Sequence, residues 1–62
     1  MIIELTVSDY ASVLINSDKI IFVQEESNGK FAYVVLDGQV RINVRETLKE
    51  IKNRLEIANA GL

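Results

Sequence analysis

Residues 20–38 read IIFVQEESNGKFAYVVLDG, and this stretch decides the fold of the chain. Asn28-Gly29 and Asp37-Gly38 are the residue pairs that supply the positive φ angles of two-residue type I′ loops, so the stretch predicts two consecutive hairpins. The segments between the turns are apolar at nearly every position, whereas a strand with one solvated face alternates apolar and polar residues. We therefore expect both faces of this sheet to be covered.

The two turns also predict the register of the three strands. With the first pair as the loop, Phe22 faces Val35, and with the second pair as the loop, Val35 faces Val40 and Tyr33 faces Ile42. A main core face then follows from the alternation of side chains along each strand. Its members are Phe22, Phe31, Tyr33, Val35, Val40, Ile42 and Val44.

The opposite face of the same sheet is a smaller apolar patch with polar neighbours. We expect this patch to form an interface made of Ile21, Val23, Ala32, Val34, Leu36 and Arg41. A second copy of the chain is the favoured cover, because a chain this small rarely supplies two cores and an exposed patch invites aggregation. The alternative is that the first strands curl over and close a small barrel, so that Ile3, Leu5 or Leu14 covers the patch.

The rest of the chain predicts two further strands and one helix. Residues 2–7 and 12–15 read as short strands, and residues 16–19 are a cluster of turn-forming residues. Thr47-x-x-Glu50 reads as a capping box that starts a helix, although Asn43-x-x-Glu46 is a competing box one turn earlier. The apolar stripe of this helix would contain Leu48, Ile51, Leu55, Ala58 and Leu62, and Gly61 is a plausible stop. A helix of about 12 residues covers one sheet face.

The fold class that follows is α+β: an antiparallel β-meander of about five strands with one C-terminal helix packed on one face, in a single domain over residues 1–62. The chain has no Cys and no His, so disulfides and the usual zinc ligands are absent. Self-association is the remaining way to reinforce so small a core. The first residues lack the features of a signal peptide, and a cytoplasmic protein is the default expectation.

The composition gives little support for catalysis or for ligand binding. Without His the usual general base for a hydroxyl nucleophile is missing, so we expect no enzyme activity, no catalytic residues, no cofactor, no metal and no small-molecule ligand. Arg41, Arg45, Lys49 and Lys52 are candidate nucleic-acid contacts. Acidic residues interleave with them, Glu50 to Arg54 has favourable helical spacing, and the net charge is −2, so a solvated, salt-bridged face is the favoured interpretation.

The order of elements resembles a known family. Ile3-Glu4-Leu5-Thr6, Leu14-Ile15-Asn16, Val35-Leu36-Asp37-Gly38 and Val44-Arg45-Glu46-Thr47-Leu48 are similar to the small FlbD-type proteins associated with bacterial flagella. The second half is also similar to part of the LytTR DNA-binding domain. The FlbD-type resemblance implies a small non-catalytic accessory protein.

The function expected from the sequence is a non-catalytic interaction module. It would self-associate through the second apolar sheet face and act as an adaptor or assembly protein, with itself or another protein as the partner and with no membrane contact. A nucleic-acid-binding transcriptional regulator is the alternative from a different class. A small inhibitor of phage or mobile-element origin is a third possibility, which would use a strand edge or an acidic surface.

Overall fold

A computed structural model describes residues 1–27 and 29–60 of the chain. The order of elements is β1 (Ile2–Ser8), β2 (Ala11–Asn16), a 3₁₀ turn (Ser17–Lys19), β3 (Ile20–Glu25), β4 (Ala32–Leu36), β5 (Val40–Val44) and α1 (Leu48–Ala60). The α+β class is confirmed, with five antiparallel strands and one C-terminal helix. The expectations for Asn28, Gly61 and Leu62 lie outside the described residues.

The strands follow the order of the predicted meander and are divided between two sheets. β1 and β2 make a hairpin, and β3, β4 and β5 make a three-stranded sheet in that order. The backbone N–H of Arg45, just after β5, donates to the carbonyl of Thr6 in β1 at 2.7 Å, which joins the two sheets side by side. β1 of the hairpin therefore lies beside the end of β5 at the edge of the three-stranded sheet.

The buried core lies between this hairpin, the inner face of the three-stranded sheet and α1. Its buried apolar members are Ile3, Leu5, Ile15, Ala32, Val34, Val44, Ile51 and Ala58. Partly buried side chains extend it at the margins, namely Val7, Val13, Ile20, Val23, Leu36, Ile42 and Leu55. The core is thus entirely aliphatic.

The register of β5 differs from the predicted one, and the difference moves the core to the other face. β3 pairs with β4 as expected, with Phe22 opposite Val35. On β5, however, Ile42 lies opposite Val34 and not opposite Tyr33, because the loop holds three residues, 37–39. Gly38 and Gln39 both adopt positive φ, 86° and 64°. A shift of one residue turns every side chain of a strand to the opposite face.

The predicted main core face is therefore wrong: the side chains of Phe22, Tyr33 and Val35 lie on the outer face of the sheet. The inner face carries the patch that the sequence suggested as an interface, and Ala32 and Val34 in that patch are 0% exposed. Ile3 and Leu5 of β1 cover it, as in the alternative of a closed barrel, whereas Leu14 stays exposed. The physical reason is that β5 contributes Ile42 and Val44 to the inner face.

The helix begins where the capping box predicts. The Thr47 hydroxyl accepts the N–H of Glu50 at 3.2 Å, and the Glu50 carboxylate accepts the N–H of Thr47 at 3.2 Å. Ile51 and Ala58 are buried, while Leu48 and Leu55 are half-buried. The competing start at Asn43 is wrong, because residues 43 and 44 belong to β5. Within residues 1–27 and 29–60, no helix has the length and apolar character needed to cross a bilayer.

Candidate interaction surface

All four aromatic side chains of the chain lie outside the buried core. Phe22 is 47% exposed, Phe31 is exposed, Tyr33 is half-buried and Tyr10 is almost fully exposed in the turn between β1 and β2. Aromatic rings bury about 150–250 Å² each and usually dominate the core of a small domain. Their placement outside the core leaves a large apolar area in contact with solvent.

Three of the four rings gather at the outer face of the three-stranded sheet. We call the side chains of Phe22, Phe31, Tyr33, Val35 and Arg41 the aromatic face. Phe22, Val35 and Arg41 form one cross-strand row, and Tyr33 stands in the next row. The rings of Phe22 and Tyr33 pack edge to face with centroids 6.5 Å apart. The face is therefore an ordered surface, built on three hydrogen-bonded strands.

Arginine side chains lie over two of these rings. The guanidinium carbon of Arg41 is 3.7 Å from the centroid of the Tyr33 ring, and that of Arg45 is 5.7 Å from the centroid of the Phe31 ring. A guanidinium over an aromatic face is attracted by the electrons of the ring. Tyrosine, phenylalanine and arginine are also among the residues enriched at protein interfaces.

Each of these arginines also has an acidic neighbour. Arg41 lies 3.4 Å from the carboxylate of Glu26, and Arg45 lies 3.0 Å from that of Asp9. Arg41 additionally donates to the side chain of Asn43 at 3.0 Å. Exposed ion pairs of this kind contribute only about 0–1 kcal/mol to stability. They nevertheless place both signs of charge at the rim of an apolar centre.

The six residues expected to form the interface are separated by the fold. Ala32 and Val34 are buried, and Val23 and Leu36 pack against the core. Ile21 is exposed, because a bulge between Ile20 and Phe22 places it outside the regular alternation. Only Ile21 and Arg41 remain on the surface, and of these Arg41 belongs to the aromatic face.

The four candidate nucleic-acid contacts do not form an unbroken basic surface. Arg41 and Arg45 lie on or just after β5 and pair with carboxylates. Lys49 and Lys52 are exposed on α1, where they line a shallow depression of about 510 Å³ whose other lining residues are Glu50, Asn53 and Glu56. Acidic groups therefore accompany every one of the four cations, as the solvated-face interpretation expects.

Sequence reasoning missed the role of Glu46 and Arg54. Glu46 is 6% exposed, and its carboxylate accepts the backbone N–H of Thr6 at 2.8 and 3.0 Å. Arg54 donates to Glu46 at 2.9 Å and to the carbonyl of Glu4 at 2.8 Å. The Glu50 to Arg54 pair expected from spacing is replaced by this network. No local signal marks it, since its partners are 40 and 50 residues apart along the chain.

The environment of Glu46 changes the pKa of its carboxyl in two opposite directions. Burial raises the pKa, while hydrogen bonds from the Thr6 N–H and from Arg54 lower it and outweigh the burial. The net result is a pKa below the usual value of 4.5, so this carboxyl is ionised in the folded protein at neutral pH. The group serves the packing of α1 against β1.

A groove of about 550 Å³ lies beside this network, between β1 and α1. It is lined by Met1, Ile2, Ile3, Glu4, Thr6, Arg54, Ile57 and Ala58. The Arg54 side chain and the Glu4 carbonyl that line it are bonded to each other. This pair of polar groups is therefore already bonded within the chain.

The part of the chain that the structure describes holds no group of three or more acidic, His or Cys side chains placed to bind a metal ion. Comparison of the chain with protein-family models, curated proteins and solved structures finds no match. The aromatic face is therefore the candidate functional site.

Proposed function

We propose that this chain is a small, non-catalytic interaction module that self-associates through the aromatic face and acts as an adaptor or assembly protein. The observation that carries the proposal is the exclusion of every aromatic ring from the core together with the clustering of three rings and Arg41 on one sheet face. The proposal uses the aromatic face and not the patch that the sequence suggested, because Ala32 and Val34 of that patch are buried in the chain's own core. The proposal keeps the resemblance to FlbD-type accessory proteins as a compatible hypothesis, and a cytoplasmic location as the default.

The small size of the protein favours burial of this face. A specific interface usually buries about 800 Å² on each partner, which is close to a fifth of the 4417 Å² that this chain exposes. The aromatic face supplies the apolar centre of such an area, and the surrounding loops and strand ends supply the rim. Burying it would add a second core to a chain whose own core contains only aliphatic side chains.

Charge favours a second copy of the chain as the occupant. In an interface with two-fold symmetry, the same surface of each copy faces the other copy, so that surface must be complementary to itself. The aromatic face carries Arg41 and Glu26 at its rim, 3.4 Å apart. A two-fold axis close to this pair would set each arginine beside the glutamate of the other copy. Two sheets packed face to face in this way form a layer about 10 Å thick.

The test is the mass of the protein in solution after one substitution. Phe22→Lys places a charge in the apolar centre, so the self-association constant should fall by about 100-fold or more in sedimentation equilibrium. Ile57→Lys is the matched control, because Ile57 is an exposed aliphatic residue on α1 outside the aromatic face. Circular dichroism checks that each variant is folded. An unchanged association constant for folded Phe22→Lys would refute the proposal.

The nucleic-acid alternative has weaker support. Arg41, Arg45, Lys49 and Lys52 would have to contact phosphates, yet carboxylates accompany each of them. The chain carries 9 acidic and 7 basic residues. Duplex binding that weakens steeply with salt would favour the alternative, and failure to retain duplex DNA at low salt would dispose of it.

A further inference from the structure

The backbone of β2 has hydrogen-bonding groups that face away from its one partner strand. Ser17 donates its N–H to the carbonyl of Met1 at 2.8 Å, next to the paired residues Ile2 and Asn16. Bonded and non-bonded pairs alternate along an antiparallel ladder. The backbone groups of Val13 and Ile15 therefore point toward β1, and those of Ser12 and Leu14 point outward.

The opposite edge of the hairpin confirms this alternation. By the same alternation, residues 2, 4 and 6 of β1 point away from β2. The carbonyl of Glu4 bonds to Arg54, the N–H of Thr6 bonds to Glu46, and the carbonyl of Thr6 accepts from the N–H of Arg45. All of these groups bond to parts of the chain other than β2, which agrees with the alternation.

The other strand edges in residues 1–27 and 29–60 have features that discourage pairing with a further strand. Side chains and α1 occupy the outer edge of β1, and the N–H just after β5 bonds to β1. β3 is interrupted by the bulge after Ile20 and ends at Glu25. Bulges and charges are the common protections of an edge strand. β2 has neither of these: its six residues read ASVLIN, and its register with β1 is regular from Ser12 to Asn16.

We propose that β2 pairs antiparallel with β2 of a second copy, about a two-fold axis near Leu14, to give a continuous four-stranded sheet in the order β1-β2-β2-β1. The absence of charged residues on β2 favours a second copy of the chain as its partner. A two-fold axis brings identical residues together, and β2 is uncharged, so no like charges meet. Leu14 is 69% exposed, and pairing buries it against its own counterpart.

This pairing goes beyond the proposed function, because it assigns a second association surface on a different sheet. A chain with two separate two-fold interfaces assembles beyond a dimer. We therefore expect the wild-type protein to form a species larger than a dimer, in which one contact uses the aromatic face and the other uses β2.

The test separates the two contacts by sedimentation at micromolar concentration. Phe22→Lys should leave a dimer joined through β2, and Leu14→Lys, which places like charges across the axis, should leave a dimer joined through the aromatic face. The double variant should be a monomer of 7.0 kDa. Ile57→Lys, 65% exposed and outside both surfaces, should behave as wild type. A monomeric Phe22→Lys protein would overturn the β2 pairing, and a monomeric Leu14→Lys protein would overturn the aromatic face instead.

A second measurement reports on the backbone directly. In the Phe22→Lys dimer, the amide protons of Ser12 and Leu14 should exchange with solvent as slowly as those of Val13 and Ile15. Leu14→Pro removes an N–H that has no partner within the described chain, so it should abolish this dimer and leave the fold intact. Rapid exchange at Ser12 and Leu14 in the dimer would contradict pairing through β2.

Discussion

The carboxylate of Glu46 and the guanidinium of Arg54 lie 2.9 Å apart and together occupy the outer edge of β1. One accepts the N–H of Thr6 and the other donates to the carbonyl of Glu4. Two side chains thereby take the place of a neighbouring strand. The same contacts hold α1 against the hairpin, because Arg54 belongs to the helix and Glu46 lies just before it.

Replacing Glu46 should destabilise the protein more than replacing an exposed acid on α1. Glu46→Ala leaves the N–H of Thr6 and the guanidinium of Arg54 without their shared acceptor, which should cost about 2–3 kcal/mol in the free energy of unfolding. Urea denaturation measures the change. Glu56→Ala is the control, since Glu56 is exposed, and it should change the free energy by less than about 0.5 kcal/mol. Equal effects of the two substitutions would contradict the network.

Stability should fall at acid pH in a way that depends on Glu46. Its pKa is lower in the folded protein than the usual 4.5, so the ionised carboxyl stabilises the fold fully above that value. The contribution is lost as pH falls from 4.5 through the lowered pKa. Melting temperatures measured between neutral pH and pH 3 should therefore decline less steeply for Glu46→Gln than for wild type. Parallel declines would show that this carboxyl does not carry the effect.

Val34 and Val35 are adjacent on β4 and test which face of the sheet is the core. Val34 is 0% exposed on the inner face, whereas Val35 lies between Phe22 and Arg41 on the outer face. Val34→Ala should cost about 2 kcal/mol through lost burial and a cavity, and Val35→Ala should cost less than about 1 kcal/mol. The comparison is made in the Phe22→Lys background, where the aromatic face is not buried by association. The reverse order would restore the core face predicted from the turns.

Deleting Gln39 should preserve the fold. Leu36 pairs with Val40 across the loop of residues 37–39, so deletion leaves Asp37-Gly38 as a two-residue loop with the same strands beside it. We expect the free energy of unfolding to change by about 1 kcal/mol or less. The deletion shortens the loop and also removes the unfavourable positive φ of Gln39. Nuclear Overhauser contacts between the backbones of Val34 and Ile42 should persist. Their loss would show that the register depends on the third loop residue.

The elements of the fold could be predicted from local sequence. The alternation in β1, the capping box at Thr47 and Glu50, and the turn signal at Gly38 each act over a few residues, so the chain itself specifies them. The pairing of β3 with β4 was correct for the same reason. The surface role of the aromatic residues could not be found in this way, because a ring on a strand has the same spacing whether its face is buried or exposed.

What the sequence by itself determined is the set of strands, the helix and its cap, because hydrogen bonds and side-chain alternation within a segment decide them. Tertiary structure alone decided which face became the core. One additional loop residue, Gln39, turned Ile42 and Val44 toward Val34, and β1 then supplied Ile3 and Leu5 to cover them. That choice depends on contacts between residues far apart along the chain. It left the rings of Phe22 and Tyr33 outside, on the surface proposed to bind a second copy.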